Sequence, residues 1–466
     1  MKRIAEVVRR AFVEFLWRPS LVIAGFLLLA AGTAVLDNAN FDWLVPVHDA
    51  LRSLFLRNGP ATSSLLATVA GSIITVTSIT FSLLLLAVQQ AASALTPEVY
   101  DQFLRRRVNQ IYFGFFVGLA IYALIILASV DPPYNPVFGA TVALFLTIVA
   151  LMLLILLLYT TINEMRPVVV IETIHDRILA ARSRQVDWIA KTRRVARMSG
   201  SVSQPVDTTT HGYVVRIDVD ALGKAAESAR GEVEIVLPVC IGSFVAIHDV
   251  LAEVRAVSLE DASHVAERVR KAIHVEQQRN LDTDPAYGIE QLSIIAWTSV
   301  STAKSNPAPG LLVLRSLRDI AARWSSPEKK DRTADPVDET LPVVYADNVF
   351  SQLLHVFALL SVVASESMQA QTMTELLRGL ASLFERLPPA QQAHVEDILR
   401  RSLPALGDQV LTAQLDGTLV DIARKLEASG RRETAAEVRA AREQLGNSVG
   451  RLGSRATRAT GAAEKR

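Results

Sequence analysis

Along the segment from Ala61 to Leu95, residues able to hydrogen-bond recur on one side of a helix. At about 100° per residue, Ser64, Thr68, Gly71, Thr75, Ser78, Ser82, Gln89 and Ser93 fall within a narrow arc, and Leu86 interrupts the same line. The opposite side carries Leu65, Leu66, Val69, Ile73, Val76, Phe81, Leu83 and Leu84. Lipid offers no hydrogen bonds, so such a polar row must face protein or water. Two uses follow. In the first, the row is glue inside a helix bundle: Ser and Thr bond back to their own helix, and Gly71-Ser72 permits close approach. In the second, several copies surround an axis and the row lines a path. Leu86 is then a hydrophobic constriction gating by dewetting, and Gln89 and Ser93 line the inner mouth. Glu98 and Asp101 would add acidic rings and Arg105 to Arg107 basic ones.

Reaction chemistry has no comparable signal. There is no phosphate-binding Gly-rich loop ending in Lys-Ser/Thr and no His-Glu-x-x-His. The histidines, at 48, 175, 211, 248, 264, 274, 355 and 394, are scattered. Asp282 and Asp284 precede Pro285, where helix N-capping accounts for them. Asp218 and Asp220 read as a solvated pair in or beside a strand. The expectation is a protein that is not an enzyme, with no cofactor and no metal site.

The elements that must hold the stripe are membrane helices. Half of the residues are hydrophobic and mean hydropathy is +0.29, the excess falling in the first third. Four apolar segments approach the roughly 20 residues needed to span a bilayer: Leu21 to Leu36, Ala61 to Leu95, Ile111 to Val130 and Val137 to Ile162. The first has a long basic leader and reads as an uncleaved anchor. Lys2, Arg3, Arg9, Arg10, Arg18, then Arg105 to Arg107, then Arg166 alternate with poorer loops. By the positive-inside rule both termini are expected in the cytoplasm of a bacterial plasma (inner) membrane. Leu44, Val47, Leu51, Leu54 and Phe55 suggest a short helix in the first outer loop, at the interface or over the bundle ends. A net charge of +1 gives no argument for nucleic acid, and a single cysteine, Cys240, excludes an internal disulfide.

The expected fold class is a four-helix membrane domain with a cytoplasmic α+β region. In order, it has a basic leader (1–20), the membrane domain (21–162), a helical stalk and polar linker (163–210) and a small β module (211–257). Helices follow (258–325), then a mobile loop (326–340), more helices (341–445) and a disordered basic tail (446–466). The β module rests on alternation at Tyr213, Val215, Ile217 and Val219, and at Val233, Ile235, Leu237 and Val239. Its order resembles half of a biotinyl- or lipoyl-like barrel, but lacks the Met-Lys-Met hairpin, so no swinging arm is expected. Beyond it, helices are expected at Asp261 to Val275, Ala405 to Asp416 and Leu419 to Ala428 among others, with breaks at Gly417 and Gly430.

Three stretches carry a family resemblance. They are Ala61 to Thr77 with Phe81-Ser82, then Gly212-Tyr213-Val214-Val215-Arg216-Ile217-Asp218-Val219-Asp220-Ala221-Leu222, and Asp282-Thr283-Asp284-Pro285-Ala286-Tyr287-Gly288-Ile289-Glu290-Gln291-Leu292. In order and spacing the chain resembles a widespread bacterial family of predicted membrane proteins known only as a domain of unknown function. The resemblance implies a multi-pass plasma-membrane protein with a cytoplasmic domain and no established activity. Two departures stand out. Tyr159-Thr160-Thr161-Ile162-Asn163 replaces paired histidines, and Ser305-Asn306-Pro307 replaces an Asn-Asp-Pro turn. Together these readings predict a homo-oligomeric channel or conduit in the lipid bilayer. The alternative is a membrane-anchored sensor or scaffold whose cytoplasmic domain binds a protein or small ligand.

Overall fold

The computed structural model describes residues 16–38, 51, 59–97, 106–131, 134–198, 202–301, 306–325, 339–387, 389–407 and 409–448. Outside them lie most of the leader, the outer-loop helix apart from Leu51, Glu98, Asp101, Arg105, most of the 326–340 loop and nearly all of the tail. The chain divides into two compact units, Met1–Val169 and Val170–Arg466.

The first unit contains α1 (Trp17–Asn38), α2 (Gly59–Ala94), α3 (Arg107–Ala128) and α4 (Val137–Glu164). All four are long and apolar enough to cross a membrane. Helix α3 packs against the other three and is the most enclosed of them, with half of its apolar window buried. Its contact with α1 depends on two small residues one turn apart. A Cβ at Gly114 would lie 2.8 Å from Pro19 Cα, and one at Gly118 would lie 2.4 Å from Phe26 Cδ2. This is the small-xxx-small device of membrane helix pairs. Polar ties mark both ends of the packing. Arg18 Nη1 donates to Gln110 Oε1 (2.8 Å). At the other end Tyr122 donates to Gly139 O (3.0 Å), with the Thr33 hydroxyl 3.2 Å from its own. The Asp37 carboxylate accepts from the N–H groups of Phe138 and Gly139 (2.8 and 2.9 Å). Asp37 thus caps the N-terminus of α4, whose first amides have no partner within the helix.

The boundary falls in the first turn of α5 (Pro167–Ala190), most of which belongs to the second unit. The expected stalk does not continue unbroken from the fourth helix, because α4 stops at Glu164 and α5 restarts at Pro167, a residue suited to the first helical turn. The expected linker is also corrected: residues Val202–Asp207 form β1, paired antiparallel with residues Val250–Ala256. Then come β2 (Gly212–Ile217), α6 (Val219–Glu227), β3 (Val233–Leu237), β4 (Phe244–Val245), β5 (Val250–Ala256), α7 (Leu259–Ala272) and β6 (Ile273–Glu276).

The half-barrel is not what these residues make. The strands divide between a four-stranded sheet, β1-β5-β3-β7, and a three-stranded one, β4-β2-β6. The former is completed by β7 (Val343–Tyr345), parallel to β3. Two helices interrupt the strands because their sequences demand burial at helical period. Val219, Leu222, Ala225 and Ala226 on α6 join Ala262, Val265, Ala266 and Val269 on α7 in the core of the strands. The alternation noted from Tyr213 onward overran the strand: Asp218 leaves β2 and caps α6, its side chain accepting from Ala221 N (3.0 Å).

The remainder is helical: α8 (Pro285–Val300), α9 (Ala308–Trp324), α10 (Val349–Glu366), α11 (Ala370–Phe384), α12 (Pro389–Ser402), α13 (Ala413–Ala428) and α14 (Arg432–Ser448). Gly417 lies inside α13 and breaks nothing, whereas Gly430 (φ +78°) does separate α13 from α14. The helix expected at Ala405 to Asp416 is only a 3₁₀ turn, Pro404–Leu406, followed by the start of α13. Helix α10 is a fifth segment long and apolar enough to span a membrane, but 61% of its window is buried, against 22% for α1 and α2 and 17% for α4. It is packed by α8, α11 and α12, and a helix apolar all round is also what a protein core requires.

Candidate functional site

The stripe on α2 turns away from its own bundle. Leu66, Val69, Ala70, Ile73, Leu84, Val88, Ala92 and Leu95 are buried, and Phe81 meets Phe113 of α3 edge-on at 4.8 Å. On the other side Ser64, Thr68, Gly71, Thr75, Ser78, Ser82, Leu86, Gln89 and Ser93 are all exposed. Leu86 is 53% exposed, and a Cβ on Gly71 would meet nothing within 4 Å. Among the described residues nothing in the same bundle covers the stripe. The cause is lateral: the bulky face of α2 matches the aromatic surface of α3, and the small face has nothing to fill there.

The stripe's hydroxyls are largely satisfied by their own helix. Thr68 donates to Ser64 O (2.7 Å), Thr75 to Gly71 O (2.8 Å), Ser82 to Ser78 O (2.9 Å) and Ser93 to Gln90 O (2.9 Å). Their oxygens keep lone pairs for an outside donor. Arg106, just before α3, pairs with Glu164 at the end of α4.

In the second unit the third resemblance stretch builds an ion cluster. Asp284, 2% exposed, caps α8 by accepting from Tyr287 N (3.0 Å), and its other oxygen accepts from Arg279 Nε (2.7 Å). Arg279 also pairs with Glu290 and lies over the rings of Tyr287 (4.9 Å) and Tyr213 (5.8 Å). Gly242 makes room: at φ +91°, a Cβ there would sit 2.6 Å from Asp284 Oδ2. Capping thus explains Asp284, as its position before Pro285 suggested.

A second buried group joins Arg182, 1% exposed, to Asp347 through two bonds (3.2 and 2.5 Å). Burial pushes the nearby Cys240 thiol up to about 11, with the Asp347 charge adding to it. A thiol so raised is unreactive at neutral pH.

One cavity of about 520 Å³ opens between α8, α10 and α12. Ala286, Ile289, Val356 and Leu359 supply apolar wall, and Glu290, Ser293, Asn348, Ser351, Gln352, His355 and His394 supply polar groups. It falls in the roughly 300–1,000 Å³ range of small-molecule sites. Sequence reasoning missed it, since His355 and His394 sit on different helices that only folding brings together. Among the described residues, no three His, Cys, Asp or Glu side chains gather as metal ligands would.

Comparison with known proteins agrees with the membrane character. The chain is 25% identical over 276 residues to the uncharacterized protein Rv1290c of Mycobacterium tuberculosis, covering 56% of this chain and 52% of that protein. The uncharacterized protein Mb1321c of Mycobacterium bovis is similar to the same extent. The chain thus spans about half the length of the curated relatives it matches. No solved structure matches it. The family model described as "Predicted membrane protein (DUF2254)" matches residues 13–382, and the chain belongs to that family.

Proposed function

We propose that the protein is a homo-oligomeric conduit of the bacterial plasma membrane, with four spanning helices, both termini cytoplasmic, and the α2 stripes of several copies converging on a path. The observation that carries this reading is the exposure of the whole stripe while Leu66, Val69, Ile73, Leu84 and Val88 on the other side of α2 are buried. One copy cannot enclose a path, and the exposed Gln89 amide at the end of the row is unfavourable in lipid. Copies meeting along the stripe would give its lone pairs water or donors. Helix α10 belongs to the core of the second unit in this reading, and catalysis has no part in it.

The test is ion flux from liposomes holding the purified protein, comparing wild type with Leu86→Ser and Ser82→Leu. Removing the apolar constriction raises flux and plugging the stripe lowers it, by about tenfold each for a barrier change near 1.4 kcal/mol. Equal flux in all three proteins, with folding intact, sinks the conduit. A second reading, a membrane-anchored sensor whose C-terminal unit binds a small ligand, is favoured by the cavity between α8, α10 and α12.

A further inference from the structure

We infer that this cavity binds an uncharged amphiphile: an apolar body of about ten carbons carrying a hydroxyl or amide head. The inference rests on the sensor reading and names its ligand class. Both halves of the ligand follow from the lining.

The body is set by shape and wall. Ala286 and Ile289 on α8 face Val356 and Leu359 on α10, and the wall between them is mostly carbon. Burying a chain against it removes apolar surface from water at about 25 cal/mol per Å².

The head is set by charge. Among the described residues no lysine or arginine lines the cavity, so these residues offer a phosphate or carboxylate no lysine or arginine partner. The guanidinium paired with the lining Glu290, that of Arg279, is already shared by two carboxylates, Asp284 and Glu290. That cluster carries one negative charge in excess, and its Glu290 end is at the cavity. An anionic head is therefore repelled. What remains are groups of both senses: the amides of Asn348 and Gln352, joined by a 3.1 Å bond, the hydroxyls of Ser293 and Ser351, and the ring nitrogens of His355 and His394. Such a set recognises a head that both donates and accepts.

The experiment uses the full chain in lipid nanodiscs with three photoactivatable probes of one length: a diazirine-bearing decanol, the matching decanoate and the matching decylammonium. Labelled residues are located by mass spectrometry, with and without excess unlabelled decanol. The expected result is saturable labelling by the alcohol on the cavity faces of α8, α10 and α12. The carboxylate labels there about tenfold less, equal to about 1.4 kcal/mol. Ser351→Trp and His394→Trp, both at exposed positions on opposite walls, each occlude the cavity and abolish the cavity labelling. Stronger saturable labelling by the carboxylate or the ammonium overturns the ligand class but leaves the sensor reading standing. Labelling by no probe, or labelling that is unsaturable and as strong on exposed Trp297 and Val362 as in the cavity, overturns both. Labelling unchanged in both tryptophan variants also overturns both.

Discussion

Replacing Asp284 by alanine is expected to destabilise the C-terminal unit by about 3 kcal/mol. Two losses contribute. The cap on α8 disappears, since Asp284 Oδ1 no longer accepts from Tyr287 N at 3.0 Å, which costs about 1 kcal/mol. The carboxylate facing Arg279 Nε at 2.7 Å also goes. Breaking a buried pair by removing one partner typically costs about 3–5 kcal/mol. Here the guanidinium keeps Glu290 and its two aromatic neighbours, so the loss is well below that range, near 2 kcal/mol. Asp284→Asn keeps an acceptor for the cap and loses mainly the charge, so it should cost about 2 kcal/mol. The assay is urea unfolding in detergent, read by the fluorescence of Trp188 and of Trp324, which is 1% exposed. Arg279→Met completes a double-mutant cycle, with an expected coupling of about 1–2 kcal/mol. An Asp284→Ala cost below about 1 kcal/mol, or a coupling of zero, would refute the reasoning that this stretch is an ion-paired cap.

Two further outcomes follow from the same kind of geometry. Gly118→Ala should cost the membrane unit about 1–3 kcal/mol. Its new Cβ would fall 2.4 Å from Phe26 Cδ2, on a ring held edge-on by Phe115 and Tyr122. Thermal unfolding in detergent checks this against Gly32→Ala, where a Cβ has open space, and equal midpoints would count against the close α1–α3 contact. The second outcome concerns pH. Burial opposes ionisation of Glu234, but the amides of Arg197 and Met198 and the Arg193 guanidinium outweigh it and hold the carboxyl below its usual value of 4.5. A lowered folded value means the stabilisation is complete above the unfolded value and lost as pH falls through the folded one. Wild type should therefore lose stability in acid more steeply than Glu234→Gln, and parallel acid limbs would remove Glu234 as the cause.

What could be read from the chain alone was what depends on local pattern. The apolar runs at α1 to α4, the small face of α2 and the cap at Asp284 before Pro285 are each visible within a few turns of sequence. The direction of the stripe was not, because it depends on which face of α2 suits α3, a match made by Phe81 and Phe113 from separate helices. The Gly114-x-x-x-Gly118 spacing was a legible signal that went unused, although it marks where α1 seats. The β module misled for a related reason. Alternation at Tyr213, Val215 and Ile217 looks the same in a half-barrel and in an open sheet, and Asp218 reads as a solvated loop residue until its bond to Ala221 N makes it a cap. Strand β7 comes from beyond α8 and α9 and joins β3 in parallel, a pairing no local pattern announces.

The stripe's polarity is graded along α2, and the gradient bears on where a gate would lie. At 36 residues the helix is about 54 Å long, against about 30 Å of hydrocarbon. Over its first two-thirds the stripe consists of Gly71 and of hydroxyls, of which those of Thr68, Thr75 and Ser82 are spent on backbone carbonyls. That stretch tolerates a low-dielectric setting. Beyond Leu86 the character changes: Gln89 and Gln90 are exposed, each with two amide donors, a group costly to bury unpaired. These belong past the hydrocarbon, in headgroups, water or a neighbouring copy. Under the proposed orientation Leu86 then stands where the self-satisfied stripe meets the wet inner end. In the proposed oligomer a ring of leucines would stand at that boundary, and dewetting there would act on a short column of water rather than on the whole span. This is the reason the flux comparison pairs Leu86 with Ser82, one turn deeper: the first tests the boundary, the second the path leading to it.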